Sequence, residues 1–306
     1  MPLILAARWL TMSRDDWGRA VDARFWLLQT FNGLSYGALL FLLGSGLSLI
    51  FGVMRIVNLA HGAYFLLGGY VALSVIWSTG SWALALPAAA LAVAVVGLLM
   101  ERLFLRPLGF DPLRQVLLTV GFAFLFQQGA LDIWGGDNMD ITPPAALTRS
   151  VLVGGLYLPV YRIFMIGLAV VIGLALWVAM EKTRMGAAVR ATVDDAQMAR
   201  GVGIDTSRIS MLIFALGSAL AALGGVIGGA FLGVYPGLDF QILPIAFAVV
   251  IIGGMGSLTG AAIGALVVGL ADNFGKALFP EVSYFTLYAP MALLLAVKPT
   301  GLFGRE

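Results

Sequence analysis

Long apolar runs separated by short polar segments dominate the pattern of the chain. Three intervals contain no ionisable residue: Arg24 to Arg55, Arg208 to Asp239, and Asp239 to Asp272. Each interval is longer than the ~20 residues that a helix needs to cross the hydrocarbon core of a membrane. The pattern therefore predicts several membrane-spanning helices.

The same criterion predicts nine spans along the chain, with eight as the alternative count. They cover residues 27–50, 62–78, 82–100, 115–134, 161–180, 209–232, 241–256, 258–275 and 284–297. The predicted fold class is all-α, a polytopic membrane helix bundle with broken or re-entrant segments. The predicted organisation is an N-terminal arm (1–26), a transmembrane domain (27–300) with a cytoplasmic loop at 181–208, and a cytoplasmic tail (301–306).

Composition agrees with a membrane protein and removes several kinds of chemistry. Hydrophobic residues make up 60% of the chain and charged residues 11%, against about 25% charged residues in soluble domains. The absence of cysteine and the single histidine leave no ligand set for a zinc site and no cysteine nucleophile. We expect a lipid environment, no metal, no cofactor and no nucleic-acid partner.

Basic residues predict the orientation of the bundle. Arginines concentrate in the loops 101–114 and 181–208, and the positive-inside rule places such loops in the cytoplasm. The segment 135–160 carries acidic and turn-forming residues and is predicted to be external. The same counting places the end of the chain, 298–306, in the cytoplasm and the N-terminus outside.

Two glycine-rich interruptions, 52–62 and 253–264, lie in opposite halves of the chain. Unwound backbone at membrane depth is tolerated only where it is buried in protein or lines a cavity, so paired interruptions indicate a transport pathway. The residues predicted to belong to this pathway are Asn32, Asn58, His61, Gly62, Gly254 and Gly256.

The first interruption, "GVMRIVNLAHGAYFLLGGY" at 52–70, also carries polar side chains. Arg55 suits the cytoplasmic end of the first span. Asn58 and His61 are spaced by three residues and fall on one helical face or one turn. They can bond to neighbouring helices and hold a re-entrant turn, or they can contact a permeating polar solute. The sequence leaves both roles open.

Two motif-like stretches do not support catalysis. "GLSYG" at 33–37 fits G-x-S-x-G, but Ser35 lies inside a charge-free span, whereas a nucleophile elbow needs a strand-to-helix turn. "GLADNFGKA" at 269–277 has five residues between Gly269 and Gly275 and no Ser or Thr after Lys276, so it is not a P-loop. We predict no enzyme activity and no catalytic residue.

The loop 181–208 is predicted to contain two small helices beneath the membrane. Met185, Val189, Thr192 and Val193 form an apolar stripe in the first helix, and Asp194 or Asp195 caps the second. Methionine and valine beside arginines on a paired-helix surface favour docking to a partner protein over a simple solvated loop.

Three segments resemble one family in this order. They are "GLSLIFGVMRIVNLAHGAYFLLGGYVAL" at 46–73, the loop at 181–204, and "AVVIIGGMGSLTGAAIGALVVG" at 248–269. They are similar to the first membrane permease subunit of bacterial branched-chain amino-acid ABC importers. The resemblance implies an inner-membrane permease with the fold of the vitamin B12 and ribose importers. It also implies a related second permease subunit, two cytoplasmic ATP-binding subunits and an external solute-binding protein.

The resemblance implies import of branched-chain or other hydrophobic amino acids by alternating access, driven by the partner ATPases. Ala63 stands where family members commonly carry an acid, and relatives also import urea and amides. A self-sufficient secondary transporter or channel is the other alternative, and it would need ionisable groups in the membrane. The residues that match the ATPase-coupling loop are Arg184, Gly186, Arg190, Asp194, Met198 and Gly203.

Overall fold

The computed structural model describes residues 23–109, 111–298 and 300–304. Most of the predicted arm, residues 1–22, therefore lies outside the described residues, as do the last two residues of the predicted tail. The first described residues, 23–26, are helical and continuous with the first span. Trp26 packs on Phe274, with ring centroids 5.4 Å apart.

Helices make up nearly all of the described chain. The α-helices are α1 (Ala23–Met54), α2 (His61–Thr79), α3 (Trp82–Met100), α4 (Pro112–Trp134), α5 (Val160–Lys182), α6 (Arg184–Asp194), α7 (Ala196–Gly201), α8 (Thr206–Leu232), α9 (Leu238–Gly253), α10 (Leu258–Leu278) and α11 (Ser283–Val297). One π-turn (Glu101–Leu105) and one 3-10 turn (Arg106–Leu108) extend α3, and another 3-10 turn (Pro280–Val282) precedes α11.

Each predicted span corresponds to one helix. Seven helices of the described chain are long and apolar enough to cross a membrane, namely α1, α2, α3 with its extension, α4, α5, α8 and α10. Helix α9 and the apolar part of α11 are shorter. The predicted end of the seventh span at 256 was wrong, because α9 stops at Gly253 and the chain unwinds at Gly254.

One exception to the all-α class is a β-hairpin in the predicted external segment. Strands β1 (Ser150–Val153) and β2 (Leu156–Pro159) pair antiparallel. Gly154 and Gly155 connect them with φ of 59° and 81°. A two-residue connection with positive φ at both positions matches the twist of a hairpin and suits glycine.

The helices form a core and a periphery. Helices α1 and α8 are mainly buried and pack against α2 and α10, whereas α3, α4 and α5 expose most of their length. Their exposed side chains include Leu91, Leu117 and Val171. Such apolar surfaces are expected to contact lipid, because a membrane protein buries its central helices and exposes apolar residues to hydrocarbon.

Glycines allow the central helices to touch backbone to backbone. Gly33 and Gly37 of α1 pack on α10, and a Cβ atom at Gly37 would lie 2.8 Å from the Ala265 carbonyl oxygen. A Cβ atom at Gly225 of α8 would overlap the carbonyl oxygen of Phe65 in α2. Close approach of this kind supplies the van der Waals contacts that hold membrane helices together.

Side-chain caps are concentrated at one end of the bundle. Asp111, Thr183, Asp195, Asp205 and Ser257 each accept a hydrogen bond from a backbone N–H in the first turn of the following helix. The caps satisfy donors that a helix start leaves without partners. This is the end that carries the loops predicted to be cytoplasmic.

Candidate functional site

The first glycine-rich interruption is a break between α1 and α2. Helix α1 ends at Met54, and Arg55 adopts a left-handed φ of 54°, the one non-glycine residue with positive φ in the described chain. The guanidinium of Arg55 donates to the Val193 carbonyl oxygen of α6 at 3.5 Å and is exposed. Arg55 therefore lies at the end of the bundle that carries the loop 181–208, as its role as a basic flank requires.

From Arg55 the chain turns back into the bundle. The Asn58 Oδ1 accepts a hydrogen bond from the Ala60 N–H at 3.1 Å, which stabilises the turn before α2. His61 Nε2 lies 3.0 Å from the Leu43 carbonyl oxygen. Residues 43 to 54 of α1 span about 16 Å, so α2 begins deep inside the bundle rather than at its end. The break is re-entrant.

Asn58 and His61 face the protein interior. Both residues are fully buried. Asn58 Oδ1 and His61 Nε2 contact backbone groups of the turn and of α1, whereas Asn58 Nδ2 and His61 Nδ1 are buried without a hydrogen-bond partner. The Leu59 N–H adds a hydrogen bond to Thr119 Oγ1 of α4 at 3.2 Å. Asn58 Oδ1 and His61 Nε2 thus bond to backbone at the break. Contact of either residue with a permeating solute stays a prediction.

The second interruption is a tighter break between α9 and α10. Gly254 and Gly256 have φ of 101° and 82°, a region that side chains disfavour. The N–H groups of Leu302 and Phe303 donate to the carbonyl oxygens of Ile252 and Gly253 at 3.0 and 2.9 Å. The end of the chain thus satisfies carbonyl groups that the end of α9 leaves open. Residues 300–304 form part of the break and are not a free tail.

The two breaks touch each other. A Cβ atom at Gly52 would lie 3.1 Å from the Gly256 Cα, and a Cβ atom at Gly62 would overlap the Asp239 carbonyl oxygen at the start of α9. Ser48 Oγ donates to the Ser257 carbonyl oxygen at 3.2 Å. Segments that are about 200 residues apart in the chain are therefore one packed unit in the fold.

Two cavities lie along α9, beside these breaks. The first has a volume of about 230 Å³ and an entirely apolar lining that includes Phe51, Val57, Val250 and Met255. The second has a volume of about 630 Å³ and lies toward the opposite end of the bundle. Its lining combines apolar residues of α9 with tyrosines and with the ion pair of Asp272 and Lys276.

The three polar residues predicted to belong to the pathway lie outside the lining of these two cavities. Neither cavity is lined by Asn32, Asn58 or His61. Asn32 Oδ1 accepts a hydrogen bond from Arg162 of α5, and the Arg162 guanidinium stacks 5.1 Å from the centroid of the Phe231 ring. Asn32 therefore links α1 to α5 at some distance from the breaks.

No catalytic pair forms between serine and histidine. The Ser35 hydroxyl donates to the carbonyl oxygens of Phe31 and Asn32, both at 2.9 Å, within its own helix. His61 is held by Leu43. In the part of the chain that the structure describes, no group of three or more acidic or histidine side chains could hold a metal ion.

The loop 181–208 folds as the two predicted helices, α6 and α7. Thr183 caps α6 and Asp195, the second of the two candidate caps, accepts from the N–H groups of Gln197 and Met198. A Cβ atom at Gly186 would overlap the carbonyl oxygens of Ala179 and Met180 at the end of α5. The glycine lets α6 fold back against α5 without a gap.

The apolar stripe of α6 faces the bundle, so its prediction as a docking surface was wrong in part. Val189 is buried in a cluster with Leu49, Leu176 and Ile213, and Thr192 is also buried. The stripe turns inward because the bundle offers the larger apolar surface to cover. Of the predicted stripe, Met185 remains 42% exposed.

The exposed surface of the helix pair consists of other residues. Met198 is 65% and Val202 71% exposed, and Arg184, Asp194 and Gly203 are exposed beside them. Arg190 differs, since its guanidinium donates to the Met180 carbonyl oxygen and lies 3.8 Å from a carboxylate oxygen of Glu181. Arg190 therefore holds α6 to α5.

The sequence reasoning missed the polar residues of the larger cavity. Asp272 and Lys276 are four residues apart in a helix that is otherwise apolar, and that spacing was the available signal. Tyr36 and Gln241 gave no signal, because aromatic and amide side chains are common in membrane helices and only the fold brings them together.

Comparison with known proteins gives consistent matches over nearly the whole chain. A family model described as "branched-chain amino acid transport system / permease component" matches residues 29–295. The high-affinity branched-chain amino acid transport system permease protein LivH of Salmonella typhimurium is 30% identical over 302 residues, covering 92% of this chain and 96% of LivH. The corresponding protein BraD of Pseudomonas aeruginosa is 29% identical over 299 residues, with the same coverage.

A second kind of permease protein is also similar. LivM of Escherichia coli, likewise named as a permease protein of the high-affinity branched-chain amino acid transport system, is 28% identical over 289 residues. The match covers 85% of this chain and 67% of LivM. The relatives of the chain therefore include two different permease proteins of one kind of transport system.

Proposed function

The chain belongs to the family of branched-chain amino acid transport system permease components, and from this premise we propose that it forms half of the translocation pathway of an ATP-driven importer. The solute is a branched-chain or another hydrophobic amino acid. The observation that carries the proposal is the contact between the re-entrant break after α1 and the glycine break after α9, with an apolar cavity beside both. Transporters place such breaks at the solute pathway, because only there can unwound backbone be accommodated.

The pathway face consists of α9 with the adjoining parts of α1 and α10. The small apolar cavity and the larger polar cavity lie toward opposite ends of α9. A second permease subunit of the LivM kind packs against this face and completes the pathway. Asn58, His61 and Gly62 shape the first break, and Gly254 and Gly256 shape the second.

Energy comes from partner subunits. Two cytoplasmic ATP-binding subunits dock on the coupling loop 181–208 of the permease domain (27–300), at the exposed residues of α6 and α7. An external solute-binding protein delivers the amino acid to the other end, and the complex lies in the bacterial inner membrane. ATP-driven closure of the ATPases moves α6 and α7, which bear on α5 and on Arg55, and so reorients the pathway.

The alternative of a secondary transporter needs a direct test, because several of the described membrane helices contain ionisable residues. Arg162 lies in α5, Asp239 in α9, and Asp272 and Lys276 in α10. Ionisable groups in membrane helices are a requirement for ion-coupled transport. The energy source distinguishes the two mechanisms.

The test measures uptake of radiolabelled leucine into proteoliposomes that contain the chain with its second permease and ATPases, supplied with binding protein. We expect uptake to require ATP on the side of the membrane where the ATPases are bound. Uptake should persist when a protonophore removes the proton gradient. Isoleucine and valine should compete, whereas urea and acetamide should not. If the protonophore abolishes uptake and the omission of ATP does not, the chain is a secondary transporter and the importer proposal is refuted.

A further inference from the structure

The larger cavity has the chemical character of a small-molecule site. Its volume of about 630 Å³ is in the range of ligand pockets, roughly 300–1,000 Å³. Most of the lining is apolar or aromatic, with a small number of polar groups, as binding pockets require. The two charged groups lie on one side, at the end of α10 farthest from the coupling loop, and Tyr235 and Gln241 add polar groups beside α9.

An ion pair of α10 is the centre of this polar side. Lys276 Nζ lies 2.7 Å from Asp272 Oδ2, one helical turn away. The Asp272 side chain is 8% exposed, whereas the Lys276 side chain is 62% exposed. The Lys276 ammonium also lies 5.6 Å from the centroid of the Tyr36 ring, in reach of a cation–π interaction.

The bond between Asp272 and Lys276 itself connects no two helices. Both residues belong to α10, and a pair of this spacing stabilises a helix only slightly; Lys276 alone reaches a second helix, through Tyr36 of α1. Placing a nearly buried carboxylate in an apolar helix is unfavourable. An ammonium and a nearly buried carboxylate at the wall of a cavity can each bind a group of opposite charge on a ligand.

The opposite wall of the cavity is apolar. Ile242 and Ile245 of α9 line it, together with Leu238. The Tyr235 hydroxyl donates to Gln241 Oε1 at 2.9 Å and so fixes the polar rim between the two walls. The cavity therefore presents one positive group, one negative group and an aliphatic surface within a single space.

We propose that this cavity is a transit subsite for the zwitterionic head of an apolar α-amino acid. The solute carboxylate contacts the Lys276 ammonium, the solute ammonium contacts the Asp272 carboxylate, and the aliphatic side chain packs on Ile242 and Ile245. The assignment rests on the proposed function, and it adds the residues that recognise the solute within the permease.

The charge balance explains why this solute fits. A zwitterion brings one charge of each sign, so it can separate Lys276 from Asp272 and give each a new partner without adding net charge to a site of low polarity. A solute with one charge would leave one residue of the pair without a partner, which is costly in such surroundings. Urea and simple amides carry no charge and would replace neither contact.

The experiment uses the absence of cysteine from the chain. Ser283, which lines the cavity, is replaced by the similarly sized cysteine in the variant Ser283→Cys. Alkylation of its thiol by a small water-soluble maleimide is followed by mass spectrometry of this subunit in the reconstituted complex, without binding protein. Ser78→Cys, an exposed position at the end of α2 that does not line the cavity, provides a control thiol away from the cavity and from the coupling loop.

Leucine at ten times its dissociation constant should slow alkylation of Ser283→Cys about tenfold, since about one site in eleven then remains empty. Isoamylamine, 4-methylpentanoate and acetamide, which lack one or both charges of leucine, should have no such effect at the same concentration. Adding Asp272→Asn or Lys276→Met should remove the protection by leucine. The matched variant Arg114→Met, which breaks an exposed pair of 2.9 Å elsewhere, should keep it.

Equal protection by leucine and by the singly charged analogues would overturn the zwitterion subsite, as would protection that survives both Asp272→Asn and Lys276→Met. Absence of protection in the parent Ser283→Cys complex would overturn it as well. Leucine uptake by the same complexes reports on the proposed function, whereas thiol protection reports on the cavity. The two proposals can therefore fail independently.

Discussion

At the scale of single residues, Gly62 shows how the two halves of the chain constrain each other. It follows the buried His61 and starts α2, and its Cα faces the Asp239 backbone at the start of α9. The neighbour is a backbone carbonyl, which cannot move aside as a flexible side chain can. One added methyl group must therefore displace α9 from the first break.

We predict that Gly62→Ala destabilises the protein by about 1–3 kcal/mol, the usual cost of forcing an extra methyl group into a packed interior. The thermal unfolding midpoint of the purified complex should fall, and leucine uptake should fall with it. Gly121→Ala is the matched control, because Gly121 lies in α4 with nothing within 4 Å of an added Cβ. An equal effect of the two substitutions would contradict the role assigned to Gly62.

At the scale of elements, α6 and α7 have one face against the bundle and one exposed face. Val189, Thr192 and Gly186 face inward and bind α6 to the bundle. Met198 of α7 and Val202, which follows it, are the most exposed apolar residues of this segment. Substitutions on the two faces should therefore have different consequences.

We predict that Met198→Glu and Val202→Glu reduce ATP-dependent leucine uptake about tenfold or more, because a charge introduced into a desolvated apolar contact opposes docking. The unfolding midpoint of the permease subunit should stay unchanged, since both side chains are exposed. Gln197→Glu, an exposed neighbour that adds a charge without removing an apolar group, should keep most of the uptake. Co-purification of the ATPase subunits is the second measurement.

Substitutions on the inward face should instead affect assembly. In Gly186→Ile the side chain must displace α6 from the end of α5, so this subunit should be less stable even without partners. If Met198→Glu and Val202→Glu support normal uptake and normal ATPase recovery, the coupling surface lies elsewhere.

At the scale of the whole molecule, helix direction alternates from α1 to α11, apart from the short helices α6 and α7. The end that carries Arg55, the loop 181–208 and the break at 254–257 also receives the last described residues, 300–304. The β-hairpin lies in the connection at the opposite end. The helix connections therefore place the arginine-rich loops at one end of the bundle and the segment 135–160 at the other, as the arginine bias predicts.

We predict that reporter fusions at Gly109 and Met198 report the cytoplasm and that a fusion at Pro144 reports the outside. An odd number of helix crossings separates Pro144 from each of the other two positions, which is the physical reason for the opposite outcome. Activity of an enzyme reporter that works on one side only provides the measurement. The same sidedness at Pro144 and Gly109 would contradict the topology.

Local sequence patterns were sufficient to predict most of the helices. The spans followed from hydrophobic length, because hydrocarbon forces the backbone to bond within each helix. The cap of α7 followed from Asp194 and Asp195 at the appropriate positions, because capping depends on neighbouring residues only, whereas Thr183 as the cap of α6 was not predicted. The predicted end of α9, at 256, was three residues too late, because an apolar pattern does not show where a helix stops among glycines. Contacts of the break with Gly52 and with the chain end decide that α9 ends at Gly253.

The sequence by itself determined that this is a polytopic membrane protein, where its chain breaks lie, and which family it belongs to. These properties depend on residue types and on spacing along the chain. Only the tertiary structure decided that the two breaks touch, that the stripe of α6 faces inward, and that Asp272 and Lys276 share a cavity with Tyr36 and Ile242. Those relations join residues far apart in sequence, and packing of whole helices, which no local pattern records, brings them together.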